Sequence, residues 1–342
     1  MLKSFHQRKF GAAQRFAAVK QREDAVIAKK AVQKPVGSTR SLWSRIWENR
    51  FLYVMLLPMV VLLLIFNYYP MYGVILAFKD FNFSAGILGS PWTKNHGFYN
   101  FLRLFRDPSF SNAMINTLSI SLGRLIFEFP IPIMLALLIN EIRSNKYKRV
   151  VQTVYTFPHF ISWIIVAGLF FNLFSNDGIV NQIFTAVGLP KQHVLSDPNT
   201  FRPLVYISSN WKEMGWSAII YLATISGISP ELYEAARIDG AGRAQLVRHI
   251  TLPCLSGTIA ILLILQIASM MNAGFDQLFN LSNAAVRQSA DIIDTLVYRK
   301  SFSEAANFGY TTAIGLFESV INFVLLLIGN TITKKLNGRG IY

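Results

Sequence analysis

The chain has 342 residues, 52% hydrophobic and 15% charged, with a formal net charge of +15. That balance fits a polytopic membrane protein and excludes a large soluble core. The single cysteine, Cys254, excludes an internal disulfide. The five histidines are scattered without metal-ligand spacing, and the sequence has no Gly-Lys pair, so it has no phosphate-binding loop of its own.

Residues 1–50 hold twelve Lys and Arg. They read either as a disordered basic arm beside anionic lipid or as an amphipathic surface helix. No cleavable signal pattern is visible there. Residues 34–38 read as a linker, and Trp43 and Trp47 as interfacial anchors. A membrane span needs about 20 mostly apolar residues. Six such stretches follow, at 52–69, 113–139, 151–174, 202–227, 255–275 and 310–332. The sequence therefore predicts an all-α protein of six transmembrane helices after the arm, from residue 51 to residue 342.

Between the first two stretches lies an aromatic-rich loop, 71–111, read as a small folded cap or as a surface for an external receptor. The second stretch holds Arg124 and Glu128 four residues apart, on one helical face, where they can pair. Pro130 and Pro132 are expected to bend that helix. Pro158 is expected to kink the third span beside a polar patch, Thr156 to Trp163. The fourth span offers Asn210, Trp216 and Tyr221. The fifth carries Gln266, Ser269, Asn272 and Asp276 at helical spacing, and the sixth carries Glu318 and Asn322, again four apart. Polar stripes in a span serve either as helix–helix glue or as the lining of a hydrated path. Tyr and Trp can stack on sugar faces, and amides and carboxylates can bond hydroxyls. Asn210, Trp216, Tyr221, Gln266, Asn272, Asp276, Glu318 and Asn322 are thus the candidate lining of a path.

Residues 229–253, between the fourth and fifth stretches, form a polar segment. Ser229 suits an N-cap and Pro230 the first helical position. Leu232, Ala235, Ala236 and Ile238 give a partly apolar face, and Gly240 and Gly242 are placed to end the helix. A second helix, near 243–250, then leads back to Pro253. With this topology, 22 of the 33 Lys and Arg fall on the side of this segment and of both termini. The positive-inside rule puts that side in the cytoplasm.

The run Glu234-Ala235-Ala236, with Gly240 four residues after the last alanine and then Ile250-Thr251-Leu252-Pro253, resembles the "EAA loop" of membrane subunits of type I ABC importers. The runs Asn210 to Trp216, Phe157 to Trp163 and Asp294 to Arg299 resemble the carbohydrate importers of that family, in the branch for alginate and plant-polymer oligosaccharides. The resemblance covers about 51–342. It implies a non-catalytic permease subunit in the bacterial inner membrane. It also implies a second homologous permease chain, two ATPase subunits that bind ATP and Mg, and an extracytoplasmic sugar-binding protein. Glu234, Ala235, Ala236, Asp239 and Gly240 would then contact the ATPase. The competing reading is an ion-coupled secondary transporter using Glu128, Glu213 or Glu318, but the sequence shows no internal repeat and that reading leaves the 229–253 segment unexplained. No cofactor, metal or nucleic acid is expected on this chain.

Overall fold

The computed structural model describes residues 46–302 and 306–337. Most of the basic arm, with Trp43 and the 34–38 linker, lies outside the described residues. Among the described residues the regular structure is helical, with one isolated antiparallel bridge between Lys79 and Trp92. The chain divides into two units, 1–71 and 72–342.

In the first unit, α1 (Arg50–Leu63) continues through a π turn, Leu64–Tyr68. None of its residues is buried. A helix apolar on every face suits hydrocarbon, where its backbone is satisfied internally.

In the second unit, the loop after Tyr72 forms a folded cap. Asn100 Nδ2 donates to the Ala77 carbonyl at 2.9 Å. Lys79 is buried, its Nζ donating to the Leu88 carbonyl at 2.6 Å and lying 5.3 Å from the Trp92 ring centre. Phe78 packs on Phe98 and Phe101, with ring centres 5.5 and 5.2 Å away. Helix α2 (Tyr99–Leu104) completes the cap, and α3 (Pro108–Phe127) follows. Asp107 caps α3 through Ser109 N at 2.9 Å. Its other oxygen accepts from Tyr310 Oη at 2.8 Å and pairs with Lys300 at 3.1 Å. Burial pushes the Asp107 carboxyl up, but these hydrogen bonds and the Lys300 charge outweigh it and hold it below its ordinary value.

Pro130 acts as expected. It starts a new helix, α4 (Pro130–Asn140), so the second stretch is two helices joined at a bend. The third stretch is not a helix over 151–174. Amphipathic α5 (Asn145–Thr156) ends in a 3-10 turn, Phe157–Phe160, and Ile161 is extended. Pro158 lacks an N–H and so cannot continue the α-helical hydrogen bonding, although Phe157 before it keeps α dihedrals, φ −55° and ψ −42°. Ser162 caps α6 (Trp163–Phe174), and α7 (Ile179–Ala186) follows. Helix α8 (Pro198–Ser226) has 29 residues, and its 1.5 Å rise per residue gives roughly 43 Å.

The polar segment contains α9 (Pro230–Ile238) and α10 (Arg243–Leu246). The second of these does not stop before Pro253. It runs through a π turn, Val247–Thr251, into α11 (Leu252–Ala268). The fifth stretch then ends early. Helix α11 stops at Ala268, Gly274 is left-handed with φ +88°, and α12 (Phe275–Leu281) starts anew. Helices α13 (Ile293–Ser301) and α14 (Phe308–Asn337) complete the described residues.

Among the described residues, five stretches are long and apolar enough to cross a membrane: Arg50–Phe78, Pro108–Asn140, Trp163–Ala186, Arg243–Ala268 and Phe308–Lys335. Helix α8, the fourth expected span, has the length but is too polar for that criterion. It carries Arg202, Asn210, Lys212 and Glu213.

Three apolar cores tie the second unit together. One joins Ile120, Phe170, Phe201 and Leu278; the second joins Leu104, Phe110, Tyr310 and Ile314; the third joins Ala136, Tyr221, Ile225 and Leu255. Helix α8 lies in the middle of this packing, against α4, α5 and α11. At Gly215 it meets the end of α5 so closely that a Cβ would collide with the Tyr155 carbonyl. Gly215→Leu is expected to destabilise the fold by about 1–3 kcal/mol or more through overpacking. Gly168→Leu, with nothing within 4 Å of its Cβ position, is expected to be tolerated. Thermal unfolding of the detergent-solubilised variants checks the contrast.

Candidate functional site

Arg124, Glu128, Lys212 and Glu213 are paired with one another before they meet any ligand. Arg124 Nη1 lies 3.7 Å from Glu128 Oε2, and both side chains are largely buried. Arg124 also donates to Gln277 Oε1. Glu128 accepts from Ser209 Oγ at 2.8 Å. The Arg124 guanidinium lies so close to Gly274 that a Cβ there would meet Nη2 at 2.5 Å. The left-handed glycine that ends the fifth stretch therefore also makes room for the arginine.

A second network joins α8 to the turn at Pro158. Buried Lys212 donates to the His159 carbonyl at 2.7 Å and to Glu213 Oε1 at 2.9 Å. Glu213 Oε2 lies 2.6 Å from His159 Nδ1. The His159 ring stacks on Trp216, with centres 4.4 Å apart and planes 4° apart. Trp216 still remains 45% exposed. His159 covers one side of the indole and fixes its orientation.

Between these networks lies a cavity of about 410 Å³. Its walls come from α3, α4, α8 and α11 and include Arg124, Glu128, Asn210, Glu213, Trp216, Tyr221, Gln266 and Ser269. Four of the expected path residues meet here: Asn210, Trp216, Tyr221 and Gln266. The other four do not. Asn272 and Asp276 are exposed beyond the end of α11, because that helix stops at Ala268 and the chain restarts as α12 only after Gly274, which breaks the helical spacing that grouped them with Gln266. Glu318 and Asn322 lie on α14 and do not line the cavity, and Asn322 Oδ1 instead accepts from Met271 N at 3.2 Å. It holds the backbone at the end of the fifth stretch.

His159, Ser209 and Gln277 were not selected from sequence. His159 lies in the polar patch at Pro158, which was a visible signal. Ser209 and Gln277 gave none, because the side chains they bond lie far away in sequence.

The cavity is lined by three aromatic residues, two amides and hydroxyls beside charges that are internally paired. Such a surface can exchange hydrogen bonds with a polar, hydroxylated solute.

The segment 229–253 is a different kind of surface. Pro230 opens α9 as expected, but Ser229 makes no side-chain cap bond. Gly240 adopts the left-handed conformation, φ +83°, whereas Gly242 is extended and precedes α10. Gln245 Oε1 accepts from Gly242 N at 2.8 Å, closing the turn. Tyr233 Oη lies 3.0 Å from Thr251 Oγ1 and ties α9 to the start of the fifth stretch. Glu234, Ala235, Asp239 and Gly240 are exposed, Ala236 is half-buried and Ile238 is 87% exposed. Asp239, Gly240 and Ala236 also border a shallow depression of about 230 Å³ with Gln245 and His249.

Residues 128–338 match the family described as "Binding-protein-dependent transport system inner membrane component". The polygalacturonan/rhamnogalacturonan transport system permease protein YteP of Bacillus subtilis (strain 168) is 41% identical over 320 residues, 93% of this chain and 97% of that protein. Among solved structures, a chain of a bacterial alginate ABC transporter, in complex with an alginate pentasaccharide-bound periplasmic protein, superposes with a TM-score of 0.80 at 39% identity. The match covers 88% of this chain and 100% of that one. A chain from a bacterial ABC transporter involved in the import of the acidic polysaccharide alginate gives a TM-score of 0.79 at 40% identity, covering 86% and 99%.

Proposed function

This chain belongs to the family of inner membrane components of binding-protein-dependent transport systems, and on that premise we propose that it is one half of a heterodimeric permease importing an acidic oligo- or polysaccharide. In this reading α8 is the fourth of six spans and both termini are cytoplasmic. The 229–253 segment docks on a separate ATPase chain, which binds ATP and Mg. An extracytoplasmic sugar-binding protein delivers the substrate to the opposite side. Closure of two ATPase subunits draws the coupling segments of both permease chains together, and packed helices convert that motion into alternating access.

The observation that carries the reading is the exposed Ile238 at the end of a short polar-segment helix. With Leu232, 50% exposed on the same short helix, it leaves apolar surface beside small alanines in a polar segment, which suits a protein partner. Tyr233 then relays the motion of α9 to the foot of α11 through Thr251. The cavity fits the role of a conduit. Its carboxylates are each offset by a cation, Glu128 by Arg124 and Glu213 by Lys212. A sugar therefore meets hydroxyl-bonding groups and one oriented indole rather than a strong charge trap. Weak, distributed contacts allow release.

The test begins with purification of the tagged chain from membranes. An ATPase and a second permease should accompany it, and reconstituted uptake of oligogalacturonate or oligoalginate should require ATP and the sugar-binding protein. Uptake that survives ATP depletion and collapses with the ion gradient would replace this reading with ion-coupled transport. In the same assay Trp216→Ala is expected to lower uptake about tenfold, the scale of one lost stacking contact, while Trp216→Phe retains most of it. Assembly should be unchanged in both variants.

A further inference from the structure

A second cavity lies beyond the far end of α11 from the coupling segment, between α12 and α13. Its volume is about 430 Å³, within the range of roughly 300–1,000 Å³ usual for small-molecule sites. Phe279, Tyr298 and Phe302 line it, together with Asn283 and Arg287.

The rings form a continuous run. Phe275 and Phe279, one turn apart on α12, stack with centres 5.1 Å apart. Phe279 meets Tyr298 at 4.8 Å, and Tyr298 meets Phe302 at 4.9 Å. Phe279, Tyr298 and Phe302 are 44, 41 and 77% exposed. Packing among themselves fixes their planes, yet none is absorbed into a core.

The charges around this cavity are not balanced. Asp291 is committed to Arg299 through two hydrogen bonds, at 2.8 and 2.7 Å, and also accepts from Thr295 Oγ1. Arg287 is exposed and makes no ion pair among the described residues. Among the described residues the lining therefore carries one cation without an ion-pair partner, Arg287, beside aromatic faces. The cavity at Trp216, by contrast, has its charges paired.

We infer that this cavity is an entry subsite for one carboxylate-bearing sugar residue, with the ring of the sugar against Tyr298 and Phe302 and its carboxylate on Arg287. Aromatic faces take the apolar face of a pyranose, and a guanidinium takes a carboxylate with two parallel hydrogen bonds. Acid selection is thus exerted at this entry, and the paired cavity further along reads hydroxyls. The inference rests on the acidic-saccharide reading above.

The probe is trigalacturonate, titrated onto the nanodisc-embedded complex without its sugar-binding protein and read by saturation-transfer NMR, which detects weak binding. Arg287→Gln is expected to weaken binding about fivefold, a loss that fits a partly exposed charge contact. Arg287→Lys should recover part of it, and Phe302→Ala should weaken binding to a similar degree. No transfer to the probe in the unaltered complex overturns the subsite, whereas the acidic-saccharide reading falls separately if the reconstituted complex with its sugar-binding protein takes up neither oligogalacturonate nor oligoalginate. Equal binding by the unaltered complex and both weakened variants overturns the subsite alone. Loss of the second permease from Phe302→Ala or Arg287→Gln preparations overturns it too, because the rings would then be a subunit interface.

Discussion

Gly240→Pro is expected to abolish transport and receptor-stimulated ATP hydrolysis while the chain still inserts and accumulates in the membrane. Gly240 has φ +83°, in the left-handed region, and proline is locked near −65°. The substitution also removes the Gly240 N–H, which donates to the Arg237 carbonyl at 3.1 Å. Nothing lies within 4 Å of a Cβ at this position, so the defect would come from the backbone rather than from crowding. Helix α9 would lose its closing turn and present Ile238 and Asp239 in the wrong direction. Gly240→Asn, a residue that tolerates the left-handed region, should keep most of the activity. Uptake, ATPase rate and membrane abundance measured on one preparation separate a coupling defect from a folding defect. A well-expressed Gly240→Pro variant with normal transport would remove the 229–253 segment from the mechanism.

The turn at Gly240 was readable from sequence because its signals are local. Proline at the first helical position and glycine after the last turn act through their own φ, and Pro230 and Gly240 stand where those rules put them. The polar segment itself stood out because apolar runs flank it. The path residues were less readable. Grouping Gln266 with Asn272 and Asp276 assumed that one helical period persists through Gly274. Helix α11 ends at Ala268, before Asn272, and the left-handed Gly274 then leads into α12, so both residues are exposed. Helical spacing describes a face only while the helix lasts. Pro158 likewise splits the third stretch, so the apolar helix begins at Trp163. The His159–Trp216 stack joins residues 57 positions apart and has no local sequence signature. It exists because α8 packs against the end of α5 at Gly215, a contact fixed by tertiary structure.

The Arg124–Glu128 pair should behave as a structural clamp as well as a cavity wall, and the two single substitutions should differ from the double one. Arg124→Met leaves the Glu128 carboxylate largely buried with Ser209 as its remaining hydrogen-bond partner. It also frees Gln277 Oε1, while Gln277 Nε2 stays on the Val205 carbonyl at 2.7 Å and on Ser208 at 2.8 Å. Breaking a buried pair from one side costs about 3–5 kcal/mol, because an uncompensated charge remains. Arg124→Met is therefore expected to lower the thermal midpoint sharply and to reduce the yield of assembled complex. Glu128→Leu should do the same by stranding the guanidinium, whose room is made by Gly274. The double variant Arg124→Met, Glu128→Leu removes both charges and should recover much of the stability. Its transport separates the two roles of the pair. If the charges only hold α3 to α8 and α12, uptake should return with stability. If the cavity wall they form also meets the sugar, the double variant should assemble normally yet transport slowly, with ATP hydrolysis still responding to the loaded receptor. A double variant destabilised by the sum of the two single changes would mean that the two charges contribute independently, and the clamp would have to be abandoned.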